Sequence, residues 1–195
     1  MALALFLCSL GGYAFAKFKH APGRNLLFAF ALGTMMIPAA VTMLPVFIVL
    51  ARLNLVNTWW AMIIPGAANA FGIFWMRQYI AANIHDDLLA AARIDGCSEF
   101  GIYAKVYLPL SLPAMAAVGT LEFTWIFNDY LWALVLLKDN NLKPVTTGLS
   151  TLQGQYISSW NVLVAGSLLA TIPTVVVFIF LQRYFIEGLT MGSGK

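Results

Sequence analysis

The sequence predicts an all-α membrane protein: a polytopic helix bundle of about five transmembrane segments, the first of them partial, with a helix–turn–helix loop on the cytoplasmic side. Three observations carry this. Hydrophobic residues make up 61% of the 195-residue chain and charged residues only 10%, where a soluble domain carries roughly 25% charged residues. Uncharged runs recur at the length of a bilayer-crossing helix. Lys and Arg fall unevenly between alternate loops. A chain so poor in polar surface needs lipid as its solvent. Its formal net charge of +3 is small and scattered, which argues against a nucleic-acid partner.

The segments follow in order. Residues 1–16 are apolar and uncharged, and Lys17, Lys19 and Arg24 come after them. As a helix this run rises only about 24 Å, short for a span. A signal peptide places its basic residues ahead of the apolar run. The expectation is therefore a chain that starts inside a helix of a longer protein. Residues 25–51 and 53–76 carry no charge and predict two spans. Residues 106–137 predict another, interrupted only by Glu122 and Asp129. Residues 144–182 are uncharged, and 162–181 are the most apolar part, giving the last span. Pro38, Pro45, Pro65, Pro113 and Pro173 lie in or at the ends of spans, where neighbouring helices can satisfy the freed carbonyls.

Topology follows from the cations. The loops after the first and third segments, with the C-terminus, hold Lys17, Lys19, Arg24, Arg77, Arg93, Lys105, Arg183 and Lys195; the other loops hold Arg52, Lys138 and Lys143. The richer group is expected to be cytoplasmic, which puts the N-terminus outside and the C-terminus inside. Cys8 lies in an apolar run and Cys97 in a charged loop, so no disulfide is expected. His20 and His85 sit in separate loops, and no cluster has metal-ligand spacing.

The longest hydrophilic stretch between spans, residues 85–108 with its flanks, reads IHDDLLAAARIDGCSEFGIYAKVYLPLSLP. Asp86 or Asp87 is suited to capping a helix start. Leu88 to Ile94 is a compact helix former with a small-residue run at Ala90, Ala91 and Ala92. Gly96 suits the left-handed position that ends a helix, Ser98 starts a second helix, and Pro109 marks entry into the membrane. Asp95 would sit where the helix dipole disfavours a negative charge, so unless it caps the next helix its role points outside local stability. On residue chemistry alone, a docking knob and an ordinary connecting loop are equally open.

This stretch resembles the EAA motif of ABC-importer permeases, roughly E-A-A-x-x-D-G followed downstream by L-P. The matching residues are Ala91, Ala92, Asp95 and Gly96, then Leu108, Pro109 and Pro113. The resemblance implies a coupling helix seated in a cleft of an ATPase subunit, with Ala90, Ala91, Ala92, Asp95 and Gly96 as the docking set. Ala90 stands at the motif's glutamate and Cys97 at its following alanine, which puts the strength of coupling in question. The likeness runs along most of the chain. YAFAKFKHAPGR (13–24) resembles the end of the family's second helix and its first cytoplasmic loop. MMIPAAVTMLPVFIVLARLNLVNTWW (35–60) resembles the third helix and its outer loop. FNDYLWALVLL (127–137) resembles the fifth-helix region, with Phe127 in place of a tryptophan. LQRYFIEGLTMGSGK (181–195) resembles the C-terminal signature of the carbohydrate-uptake group, which includes the maltose permease partner. The first helix and about half of the second would be missing.

The resemblance implies an inner (plasma) membrane protein and four kinds of partner: a second permease, ATP-binding subunits, an extracytoplasmic sugar-binding protein and membrane lipid. ATP would be used by the partners, since this chain has no Walker A loop and binds no cofactor of its own. Within spans, carboxylates are functional candidates by default. Glu122 and Asp129 are two helical turns apart, so one helix would carry both on one face with Asn128 beside them. These three are the candidate substrate-pathway residues, and Trp125 and Trp132 would lie on a neighbouring face. Residues 138–160 form a polar outer loop suited to a binding protein, with Gln153, Gln155, Tyr156 and Trp160. The rival readings are an ion-coupled transporter using Glu122 or Asp129, a non-functional permease fragment, and a membrane enzyme, for which no nucleophile–base pair or metal constellation is present.

Overall fold

The computed structural model describes residues 1–151 and 160–191, with side chains described for 1–150 and 160–180. Every regular element among the described residues is helical. In chain order they are α1 (Ala2–Lys17), α2 (Arg24–Thr34), α3 (Ala39–Arg52), α4 (Trp59–Ile63), α5 (Ala70–Asn83), α6 (Asp86–Ile94) and α7 (Glu99–Ile102). A π-helical turn at Tyr103–Tyr107 leads into α8 (Leu108–Leu110), α9 (Leu112–Phe127) and α10 (Leu131–Leu136). A short 3₁₀ turn at Asn140–Leu142 precedes α11 (Val145–Thr151), and α12 runs Trp160–Met191.

The spans are more broken than the sequence predicts. Among the described residues one segment, Trp160–Phe180, is long and apolar enough to cross a membrane unaided. Two more crossings arise if α2 with α3, and α7–α8 with α9, each count as one broken span. The run 53–76 is not one helix but α4 and α5, divided around Pro65 and Gly66. Asn69 fixes where α5 starts: its Oδ1 accepts from the Gly72 amide at 2.7 Å, satisfying a donor that the first turn would leave orphaned. Pro45 and Pro173 remain inside α3 and α12.

The chain divides into two compact units. The first comprises Met1–Ile37, Ala67–Gly119 and Gln182–Lys195. Its centre is the contact of α1 with α5, which glycine permits. A Cβ on Gly12 would lie 2.5 Å from the Met76 Cβ, and one on Gly72 would lie 2.7 Å from the Cys8 Sγ. Small residues that let backbones approach are the usual glue between helices in lipid, where no hydrophobic force drives association. Around this contact Tyr13, Ala16, Met76, Ile80 and Ile84 pack with Leu89 and Ala92 of α6, Ile102 of α7, and Tyr103 and Tyr107 of the π turn. The rings of Tyr13, Tyr103 and Tyr107 lie within 5.1, 5.5 and 5.6 Å of one another, in tilted and stacked geometries that add to plain area burial. The Ser9 and Tyr103 hydroxyls share a buried hydrogen bond of 2.7 Å.

The second unit comprises Pro38–Gly66 and Thr120–Leu181. Leu50, Ala61 and Leu136 form its core, with Val46, Phe47, Leu55, Val56, Met62 and Trp132 around them. Asn57 staples it. Its backbone is left-handed at φ 62°, a conformation asparagine tolerates better than most residues. Its amide donates to the Leu136 carbonyl at 2.8 Å, and its Oδ1 accepts from the Lys138 and Asp139 amides, each at 2.8 Å.

Candidate functional site

The hairpin at 85–108 is built largely from local rules. His85 occupies the N-cap of α6 without a side-chain bond. Neither aspartate caps. Asp86 and Asp87 instead stand in the first turn, where the positive end of the dipole favours them. Asp86 is drawn away to two lysines: Lys17 Nζ at 2.8 Å and Lys19 Nζ at 2.6 Å. Hydrogen bonds from Lys17, then Lys19, hold its carboxyl at about 2, below its usual range.

The stop signal is present as expected. Gly96 is left-handed at φ 79°. Its amide donates to the Arg93 carbonyl and the Cys97 amide to the Ala92 carbonyl, each at 3.0 Å; together these make the paired bonds of a Schellman motif. Ser98 then caps α7, its Oγ accepting from the Gly101 amide at 3.2 Å. Across the turn, Arg93 Nε donates to Glu99 Oε1 at 2.7 Å and its Nη2 to Oε2 at 3.3 Å. Tyr13 Oη donates to Glu99 Oε2 at 3.2 Å. The Arg93 guanidinium lowers the Glu99 carboxyl from its ordinary value.

Helical geometry sorts the alanines. Successive residues point about 100° apart, so the three do not form one face. Ala92 is buried with Leu89 against the body of the first unit. Ala90, Ala91, Asp95 and Gly96 are exposed. On that outer side the structure adds two large apolar residues that sequence reasoning missed, Leu88 and Ile94, and Ile94 is 87% exposed. The available signal was spacing: Leu88, Ala91 and Ile94 recur every three residues.

The other candidate set is not assembled as expected. Glu122 lies buried in α9. The helix ends at Phe127, so Asn128 and Asp129 fall in the break before α10 rather than on a shared helical face with Glu122. Asn128 turns its Nδ2 back to the Thr124 carbonyl at 2.8 Å. Asp129 Oδ1 accepts from the Trp132 amide at 3.3 Å. These two bonds end one helix and begin the next. Trp125, exposed on α9, and Trp132, packed on the second unit's core, likewise belong to separate helices. An open cavity of about 410 Å³ in this unit is lined by Ala40, Met43, Leu44, Phe47, Val135 and Lys138, and includes none of the three candidates. Of the outer loop, Trp160 is exposed, while Gln153, Gln155 and Tyr156 lie outside the described residues. The C-terminal stretch 181–195 is helical as far as Met191, and its side chains and last four residues lie outside them too.

Residues 9–190 match the model of the family described as binding-protein-dependent transport system inner membrane component. The chain belongs to that family. Members of this transport-system family are membrane permeases, which accounts for a chain whose surface is largely apolar helix. The arabinooligosaccharides transport system permease protein AraQ of Halalkalibacterium halodurans is 42% identical over 195 residues, covering 100% of this chain and 69% of the relative. AraQ of Bacillus subtilis is 38% identical over 193 residues, covering 99% and 68%. The lactose transport system permease protein LacG of Rhizobium radiobacter is 36% identical over 194 residues, covering 100% and 70%.

Proposed function

We infer that this chain is the permease subunit of an ATP-driven carbohydrate importer and that its α6–α7 hairpin docks the ATPase. The observation that carries the reading is the coincidence of two things at one place. Likeness to sugar permeases extends over the whole chain, and residues 85–108 form a capped hairpin with an exposed apolar crest at Leu88, Ala91 and Ile94. Ala90, Ala91, Asp95 and Gly96 present the docking surface, and Ala92 seats it on the bundle. The hairpin and the C-terminus lie in the cytoplasm, in keeping with the Lys and Arg bias. A second permease completes the pathway, ATP is turned over by the partner ATPases, and an extracytoplasmic binding protein delivers an oligosaccharide or disaccharide. Glu122, Asn128 and Asp129 belong to the wall of that pathway.

The test is a bifunctional crosslink from Ala91→Cys to a cysteine in the ATPase cleft, combined with uptake of an arabino-oligosaccharide or lactose into proteoliposomes. A crosslinked adduct and ATP-dependent uptake are expected. Uptake driven by an ion gradient without the ATPase, and no adduct, would refute the reading.

A further inference from the structure

Resting on the docking role of the hairpin, we propose that Lys17 is the positioning residue that carries the hairpin's movement into α1. Lys17 is the last residue of α1 and its side chain is only 4% exposed, against 57% for Lys19 two residues on. A lysine at a helix end ordinarily reaches for water. This one is held inside by two acceptors from two other places in the fold. Its Nζ donates to the carbonyl of Ile84, the C-cap of α5, at 2.7 Å, and to Asp86 in the first turn of α6 at 2.8 Å. The carbonyl that follows α5 and the carboxylate that opens α6 therefore meet on one cation at the end of α1.

A second tether lies one turn back on α1. Tyr13 and Lys17 are four residues apart and share a helix face. Tyr13 binds Glu99 at the start of α7, so each limb of the hairpin is fastened to α1 at its base. Behind these tethers α1 is locked to α5 by the Gly12–Met76 and Cys8–Gly72 approaches. With Asp86 56% exposed the pair adds little net stability, but with Lys17 also bound to the Ile84 carbonyl it sets where α6 begins relative to α1 and α5. That is the property needed to pass a displacement from a surface knob into a helix.

The test uses the assembled importer carrying Cys97→Ala, with two reporters. Ala91→Cys reports ATPase docking by crosslinking. Leu3→Cys, exposed on α1, reports helix movement through its thiol-labelling rate with and without vanadate-trapped nucleotide. With Lys17 present, trapping should change the labelling rate by about fivefold or more, the lower range of coupling between linked sites. Lys17→Met should keep the crosslink and lose the change; Lys17→Arg, which retains charge and donors, should restore it. Loss of the crosslink with Lys17 in place would overturn the docking reading itself. An unchanged nucleotide response in Lys17→Met, no response even with Lys17 in place, loss of the crosslink in Lys17→Met, or failure of arginine to rescue would each overturn the relay. If Lys17→Met does not assemble, Asp86→Asn is read the same way, and failure of both to assemble makes the cluster a folding element and overturns the relay as well.

Discussion

Replacing Gly12 with alanine places a methyl carbon 2.5 Å from the Cβ of Met76, 2.9 Å from the Arg77 amide nitrogen and 3.0 Å from the Met76 carbonyl carbon. None of these atoms is the far end of a flexible side chain, so α1 and α5 have to separate. Overpacking of this kind costs about 1–3 kcal/mol. For a chain of this size each kcal/mol lowers Tm by about 2–4 °C, so in detergent Gly12→Ala should melt roughly 2–12 °C below a glycine-to-alanine change in an open helix position, which shares its gain in helix propensity. Gly33→Ala is the matched control. It also lies in a helix, but nothing stands within 4 Å of its added Cβ. Alanine's better helix propensity, about 0.8–1 kcal/mol, should leave Tm unchanged or raised. A Gly12→Ala protein that melts within about 1 °C of Gly33→Ala would refute the close approach of α1 to α5.

Four further outcomes are expected. Asn57→Ala removes two hydrogen bonds and forces alanine into a left-handed backbone, so it should cost about 2–4 kcal/mol in denaturant titration, with Asn57→Gly recovering the backbone share of about 1 kcal/mol; equal losses would contradict this. Ile94→Asp should weaken ATPase association by about 10–100-fold in a pull-down titration, the worth of one buried aliphatic side chain, without moving Tm. Ala90→Glu, which restores the motif's carboxylate, should tighten the same association by a few-fold, about 0.5–1 kcal/mol. The Asp86 carboxyl is depressed, so its contribution is complete above its ordinary value of 3.8 and is lost as pH falls through about 2. The distance between spin labels attached beforehand at His20→Cys and Asp87→Cys should therefore be flat from about pH 5 to 8 and change only below about pH 4.

What could be read in the sequence was what local chemistry decides. Gly96 after Ile94–Asp95 and Ser98 before Glu99 announce a stop and a start, and both caps form as their residue types dictate. The helical class followed from composition. The breaks were harder. Glu122 and Asp129 have the spacing of one helical face, yet the amide of Asn128 and the carboxylate of Asp129 are spent ending α9 and starting α10, because these side chains compete with the helix for backbone groups. Lys17 and Asp86 stand 69 positions apart. No periodicity links them, and the lysine reads as a topology signal until the fold brings the two together. Asn57 is similar: its left-handed turn is a local propensity, but its acceptor work is done 81 and 82 residues away.

The two fastenings of the hairpin differ in their response to counterions. Arg93 and Glu99 are both about half exposed, and mobile ions screen such a pair over a Debye length of about 8 Å at physiological salt. Asp86 is equally open to salt at 56% exposed, but Lys17 is also held by a partly buried bond to the neutral Ile84 carbonyl, which mobile ions do not screen. Raising ionic strength thus weakens both charge pairs and leaves the Lys17–Ile84 bond as the fastening that persists, so the crest at Ile94 gains freedom to pivot about the end of α5.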